Sequence, residues 1–281
     1  MVGNRREAWQ ASLVTMTRRA LLGLGVAIGA SLAGCTRAAR SGAAATSQQA
    51  APTLTNPSSD PATGTAASSP SRRPVTPTVP VGPAREFASG PTTRHEIALT
   101  FHGAGDPAIA RQLLAIFAKA KAQVTVLAVG SWLAENPTLA REIIAGGHEL
   151  GNHTYNHLDI DGLDPAAARA EIVRCRDLLR SQVGSIGAHF RPSQTQHAST
   201  EVLALAGAAG YPVALSYNVD SLDYTDPGSD AVRANVATAG AGSIVSMHFG
   251  HPGTVTAMPG VLADLKARGL TAVTASRLLR A

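Results

Sequence analysis

The sequence predicts an α/β fold, a (β/α) barrel of about seven units, over residues 95–281. Three observations predict it. Strand-like runs alternate with helical runs along this whole stretch, the pattern of parallel strands joined by crossover helices. The strand runs are apolar throughout rather than alternating, as strands buried on both faces are. Polar clusters follow the strand ends, at His102, His153, Asp220 and His248, and in a closed (β/α) arrangement those ends share one mouth.

Each element has a local signal. Ile97-Ala98-Leu99-Thr100-Phe101 reads as a buried strand, and Pro107 to Ala122 as a helix with Leu113, Leu114 and Phe117 on one face. Val124 to Val129 is a second strand, closed by Gly130. A helix follows through Ile143-Ile144 and stops at Gly146-Gly147. His148 to Asn152 is a short strand whose end delivers His153. Asp164-Pro165 opens a long helix to about Gln182, and His189-Phe190-Arg191 is strand-like. Ser199 to Gly207 is helical, Val213 to Ser216 a strand, and Gly228 to Thr238 a helix. Ile244 to Phe249 is a strong strand, Val255 to Arg268 a helix, and Thr271 to Thr274 a last strand.

The segment before the barrel has another character. Residues 1–94 hold ten Arg and three acids, a net of +7, whereas residues 95–281 carry a net of −2. The overall +5 therefore belongs to the arm and does not argue for nucleic-acid binding, which needs a basic face on the folded part. Residues 1–35 read as an export signal: Arg18-Arg19, an apolar run from Ala20 to Ala33 too short for an ordinary spanning helix, then Leu32-Ala33-Gly34-Cys35. That ending resembles a bacterial lipobox with Cys35 as the lipidated residue, and Thr17 to Leu22 resembles a twin-arginine signal. Met16 is an alternative start to Met1. The expectation is an exported protein anchored by lipid to the outer face of the cell membrane. Residues 36–94 read as an Ala/Ser/Thr/Pro tether, with Pro74, Pro77, Pro80 and Pro83 favouring extended chain. Cys175 is then left without a disulfide partner and reads as a core thiol.

Nucleotide binding is excluded by pattern. Gly103-Ala104-Gly105-Asp106 has neither dinucleotide-loop spacing nor a following Lys-Ser/Thr. With aromatics at 4%, no stacking platform for single strands is expected.

The chemistry concentrates in the histidines, all nine of which lie in residues 95–281. His153 and His157, four apart, can hold a metal from one side. A hydrolase built on them also wants a carboxylate ligand and a carboxylate base at the end of the first strand, where the chain reads Thr100-Phe101-His102-Gly103-Ala104-Gly105-Asp106.

The motif order from Glu96 to Leu279 resembles the NodB-type polysaccharide deacetylases, carbohydrate esterase family four. The resemblance implies a deformed (β/α) barrel that binds a divalent metal and removes N- or O-acetyl groups from an acetylated polysaccharide such as peptidoglycan or chitin-like glycan. It places His102 and Gly103 on the family's catalytic Asp and metal-ligand Asp. It makes His153 and His157 ligands, with Gly151-Asn152 matching before them. Arg191-Pro192 matches the third motif, whose Tyr-Gly is replaced by Ser193-Gln194; Arg191 is then the residue that orients the catalytic group. Asp223 matches the carboxylate that supports the catalytic histidine, and Tyr224 stands for a Trp. His248 matches the histidine that protonates the leaving group. Tyr224, Pro192 and His251 are expected at the substrate site. His102 could serve as base or as third ligand, and Asp106 and Asp220 are the other candidates to complete the metal site. Imidazole ligands suit Zn, with Co, Ni or Mn as alternatives. The competing reading is a catalytically impaired domain acting as a glycan-binding or structural lipoprotein.

Overall fold

The computed structural model describes residues 82–280. Eight strands are set in parallel: β1 (Arg85–Phe87), β2 (Glu96–Gly103), β3 (Thr125–Ala128), β4 (Glu149–Asn152), β5 (Val213–Leu215), β6 (Val219–Asp220), β7 (Ile244–His248) and β8 (Thr271–Val273). The main sheet runs β4-β3-β2-β7-β6, with β8 paired to the start of β2 and β1 paired to β5. Phe190 bridges Asn152 on one side and Ala214 on the other, joining the two sheets. Between β5 and β6 the ring is not directly paired. There β1 lies against β5, and Ser89 after it makes an antiparallel bridge to Ser243. The result is a distorted (β/α) barrel.

All eight residues of β2 are buried, as expected of a central strand with apolar Ile97, Ala98, Leu99 and Phe101. The helices are α1 (Pro107–Ala120), α2 (Gly130–Glu135), α3 (Leu139–Ala145), α4 (Pro165–Val183), α5 (Thr200–Ala208), α6 (Ser229–Ala237), α7 (Pro252–Ala267) and α8 (Ala275–Leu278). α1 buries Ala110, Leu113 and Phe117. Each large side chain removed from water there contributes about 1.5–3 kcal/mol. Phe117 packs with a tilted ring against Phe101, which also meets Phe249, so the helix is keyed to the two strands that carry His102 and His248.

Three expectations are corrected. Residues 85–87 form a strand and Ala84 is buried, so the tether read over residues 36–94 ends before residue 84 and the fold begins earlier than residue 95. The single helix expected before Gly146 is two, interrupted at Asn136-Pro137, because Pro137 disfavours helical backbone in the residue before it. Phe190 makes bridges rather than a strand, while the two-residue β6 goes unsignalled. Residues 1–35, Cys35 included, lie outside the described residues.

Candidate metal centre and catalytic site

Parallel strands bring their C-terminal ends to one side. β2 ends in His102-Gly103, β4 leads into His153, and β7 ends in His248. His102 and His248 are register partners on adjacent strands. Their ring centroids are 4.4 Å apart, and His102 is also 4.4 Å from His153.

The loop after β4 is shaped by side chains. Asn152 Oδ1 accepts from the Thr154 N–H, and Asn152 Nδ2 donates to the Ile172 carbonyl and the Tyr211 hydroxyl. Thr154 and His157 both take left-handed backbone, at φ 63° and 57°. Glu171, buried on α4, accepts from the backbone N–H groups of Tyr155 and Asn156 and from Asn156 Nδ2. The peptide link between the two histidines is thereby held by one carboxylate.

His153 Nδ1 lies 3.0 Å from the Arg191 carbonyl, which fixes the ring and directs Nε2 inward. His157 Nε2 is 3.0 Å from His153 Nε2. One ring nitrogen from each of His102, His153 and His157 lies within 4.8 Å of the others. Ligands about 2.0–2.1 Å from one tetrahedral ion stand roughly 3.3 Å apart, so the set is close to ligating geometry. Burial drives the His102 and His153 imidazoles far below their ordinary pKa, and repulsion from neighbouring histidines adds to it. His157 is lowered to about 4, again chiefly by burial. All three are neutral at physiological pH, the form that ligates. The donor set fits a divalent metal.

Beside this cluster, His248 Nδ1 is 2.6 Å from Asp223 Oδ1. Asp223 is 1% exposed. Burial pushes its carboxyl up, but the His248 charge and hydrogen bonds from His248 and Thr254 outweigh burial and hold it below the ordinary carboxylate range. Tyr224 packs its ring 5.3 Å from that of His248, and His251 stands 5.9 Å away on the next turn.

The chain covers 91% of a peptidoglycan-N-acetylglucosamine deacetylase from Bacillus cereus, at 32% identity over 195 residues, 68% of its own length. The polysaccharide deacetylase family matches residues 89–214. This chain belongs to that family. Among solved structures, a peptidoglycan N-acetylglucosamine deacetylase superposes with TM-score 0.65 at 25% identity, over 70% of this chain and 93% of that one. A family pseudoenzyme from Bacillus anthracis has TM-score 0.67 at 23% identity, over 71% and 70%, a likeness of fold.

As a polysaccharide deacetylase domain, the chain carries a His-His-His metal-binding cluster consistent with a carbohydrate deacetylase. His102 is the third member. Asp106 and Asp220 are not, and those two alternatives are corrected. The Asp106 carboxylate caps α1, accepting from the Ala108 N–H at 2.8 Å. Asp220 accepts from the Leu222 N–H, and its charge acts on Arg191. Arg191 is fully buried, with Nε donating to the Leu215 carbonyl and Nη2 to Thr100 Oγ1 and the Ser216 carbonyl. Burial lowers its pKa to about 10, so it stays charged and disfavours an imidazolium at His102. Pro192 is buried next to it.

Gly103 faces away from the cluster. A Cβ there would come within 3.0 Å of Trp132 and Val126 side-chain atoms. Gly105, at φ +90°, lets its backbone approach Gly250, where a Cβ would lie 2.5 Å from Cα. Trp132 Nε1 donates to the Gly105 carbonyl. The loop after β2 is thus clamped between α2 and the loop after β7.

Sequence reasoning missed Glu171, Asn152 and Thr254 as supports. Glu171 had a signal: it lies within the buried stripe Ala168, Ile172, Cys175 and Leu179 of α4, where an acid is out of place unless it is bonded.

Proposed function

We propose that this domain is a Zn-dependent deacetylase that removes N-acetyl groups from an envelope glycan, peptidoglycan or a chitin-like oligosaccharide. The observation that carries it is the convergence of His102, His153 and His157 beside the His248–Asp223 pair. Curated relatives act as further support: a Bradyrhizobium chitooligosaccharide deacetylase is 31% identical over 159 residues, and 70% of it is covered. Zn suits three neutral imidazoles with a fourth position open.

A divalent ion at this centre would supply Lewis-acid polarisation of the acetyl carbonyl and a more acidic water. His102, His153 and His157 would hold it. With His102 committed as a ligand, the proton work passes to His248. Its Nδ1 is tied to Asp223, which leaves Nε2 to take the proton of the attacking water and return it to the departing amine. Tyr224 forms an apolar wall for the acetyl or sugar ring. Burial, with a smaller push from Arg191, keeps His102 neutral, and the Arg191 carbonyl anchors His153.

A second reading has its own observation. No carboxylate joins the cluster among the described residues, so the domain could bind glycan without cleaving it. Acetate release from N-acetylated chito-oligosaccharides and muropeptides, with Zn, Co, Ni or Mn supplied to the chelated protein, decides between them. Release that follows metal supports the deacetylase. Glycan binding with no acetate under any metal supports the binding protein. Export and a lipid anchor at Cys35 place the activity at the cell surface in this proposal.

A further inference from the structure

The chain has three lysines against twenty-one arginines, and all three lysines line one groove. Lys119 and Lys121 stand at the C-terminal end of α1, and Lys266 in the last turn of α7. Between them the lining is apolar, with Ile116, Leu262, Leu265 and Leu270. The groove has a volume of about 600 Å³, within the range of small-molecule sites. Thr271 at its edge is the register partner of Glu96 at the start of β2, so the groove lies at the opposite end of the barrel from the histidine cluster.

Helix dipoles alone do not account for the three lysines. A helix C-terminus carries about half a negative charge. The ends of α1 and α7 together therefore call for about one ammonium group, and three leave a surplus of about two positive charges. The only acid on α1, α7 or β8 is Asp264, and it is paired with Arg233. Glu96 is paired with Arg94 and Arg277. The guanidinium of Arg268 is spent on the Ala237 and Ala239 carbonyls. Nor are the ammonium groups needed as caps. The N–H groups of Lys121, Ala122, Arg268, Gly269 and Leu270 already close the two helix ends. Lys121 moreover holds left-handed backbone at φ 54°, a place that glycine takes just past α4 and α7, at Gly184 and Gly269. All three lysines are exposed, and among the described residues no side-chain hydrogen bond or ion pair engages them.

We propose that this groove binds a single-chain lipid phosphate, with the hydrocarbon tail along the apolar lining and the phosphate among the three ammonium groups. A phosphate monoester carries about −1.5 to −2 charge at pH 7, which matches the surplus. Lysine suits it as a mobile point charge, with no fixed fork to satisfy. A peptide is a poorer occupant. The backbone N–H groups at both helix ends are used, and Thr271 N–H donates to the His95 carbonyl, so a peptide's own amides would be buried without partners. The arm over residues 1–94, at +7, is repelled from a cationic groove. A bilayer surface would want protruding apolar anchors, and the exposed large apolar side chains among the described residues, Ile144 and Leu158, are not in this lining. The groove shares no residue with the metal centre, so this ligand is independent of the deacetylase reading.

The test titrates the full chain with dodecyl phosphate, below its micelle concentration, by isothermal calorimetry. Dodecyl phosphate should bind about tenfold tighter than dodecyl maltoside, which has the same tail and a neutral head. It should also bind about tenfold tighter than octyl phosphate, which has a shorter tail. Replacing the lysines together, Lys119→Gln, Lys121→Gln and Lys266→Gln, should weaken dodecyl phosphate about tenfold and leave dodecyl maltoside unchanged. Lys121→Gly is a second arm. It relieves the left-handed backbone and should melt no lower than wild type, yet bind the phosphate about threefold more weakly. Lysine-selective isotope labelling gives three side-chain resonances, and dodecyl phosphate should shift all of them. Equal affinity for the phosphate and the maltoside, full affinity in the triple variant, or inorganic phosphate binding as tightly as dodecyl phosphate overturns the site. Binding that survives the triple variant and is lost in His153→Ala puts the phosphate on the metal centre and overturns it too. Lysine-dependent sedimentation with phosphatidylglycerol vesicles, without binding of monomeric dodecyl phosphate, overturns the groove and gives this face to a membrane surface instead.

Discussion

Asp223 Oδ1 lies 2.6 Å from His248 Nδ1, and its other oxygen accepts from the His248 backbone N–H at 2.9 Å and from Thr254 Oγ1 at 2.7 Å. Every lone pair that matters is engaged by a donor, so the carboxylate sets both the tautomer and the aim of His248. Asp223→Asn puts an amide NH₂ where donors already point. Activity should fall about 10²–10⁴-fold while metal content is unchanged, checked by steady-state acetate release and metal analysis of the same sample.

The same residue makes a pH prediction. Its folded-state pKa lies below that of an unfolded Asp, about 3.9. The stabilisation is therefore fully present above that unfolded value and is lost as pH falls through the lower folded value. The gap in unfolding free energy between wild type and Asp223→Asn, on the order of 3 kcal/mol, should narrow as pH falls below about 4. Urea denaturation across this range measures it.

His102 and Asp106 lie four residues apart and should part company on substitution. His102→Ala removes one of three converging nitrogens. Zn affinity should drop by more than the 10–100-fold that loss of an outer-shell partner costs. Asp106→Ala should leave metal binding alone and cost about 1 kcal/mol through the lost helix cap. Competition with a chelating dye and thermal melts separate the two. Equal loss of metal in both variants would sink the assignment of His102.

Why the third ligand was not legible follows from geometry. Consecutive residues of a strand point to opposite faces. Motif register locates His102 but not whether its side chain looks into the mouth, so Asp106 and Asp220 stay open beside it. Asp106 was legible in principle: Asp164-Pro165 was read as a helix opener, and Asp106-Pro107 is the same signature, with the same capping bond. β2, β3 and β7 are legible because each is largely an apolar run, and α4 because Asp164-Pro165 marks its start. β1 is not, because Arg85-Glu86-Phe87 has no pattern of its own and owes its state to pairing with β5.

Gly103 cannot simply be returned to an acid. Its Cβ direction meets Trp132 and Val126 at 3.0 Å and the Ala128 Cα at 3.1 Å. Gly103→Asp should destabilise the fold by about 1–3 kcal/mol through overpacking. Adding Trp132→Ala should recover part of that loss, a non-additivity that thermal melts of the two single variants and the double variant would detect.

Among the described residues no helix is long and apolar enough to cross a membrane. If Cys35 carries a lipid, Cys35→Ser should move the protein from the membrane fraction to the soluble fraction. Mass spectrometry of the wild type should find the mature chain beginning at a lipid-modified Cys35. An unmodified cysteine in a membrane-bound protein would overturn the lipobox assignment.

Glu171 offers the sharpest test of how the metal loop is held. Its Oε2 accepts from the Tyr155 N–H at 3.0 Å and the Asn156 N–H at 2.6 Å, and Oε1 accepts from Asn156 Nδ2 at 2.6 Å. Three donors converge on two oxygens. Gln at this place keeps one oxygen and turns an NH₂ toward a donor, so at least one bond becomes a donor–donor contact. The loop needs those bonds, because Thr154 and His157 hold left-handed backbone that costs about 1–3 kcal/mol each. Once released, the loop can relax and turn His157 away from His153. Glu171→Gln should therefore weaken Zn binding about 10–100-fold, the range seen for outer-shell partners. The metal-free protein should also melt a few degrees lower, because one buried donor at the core face of α4 loses its acceptor. Titration with Zn against a chelator reads the first, and calorimetry of the chelated protein the second. Full Zn affinity in Glu171→Gln would mean that the loop's other bonds suffice, among them Gln194 Nε2 donating to the His157 carbonyl at 2.8 Å and the Gly130 and Ser131 N–H groups donating to the Thr154 and Tyr155 carbonyls.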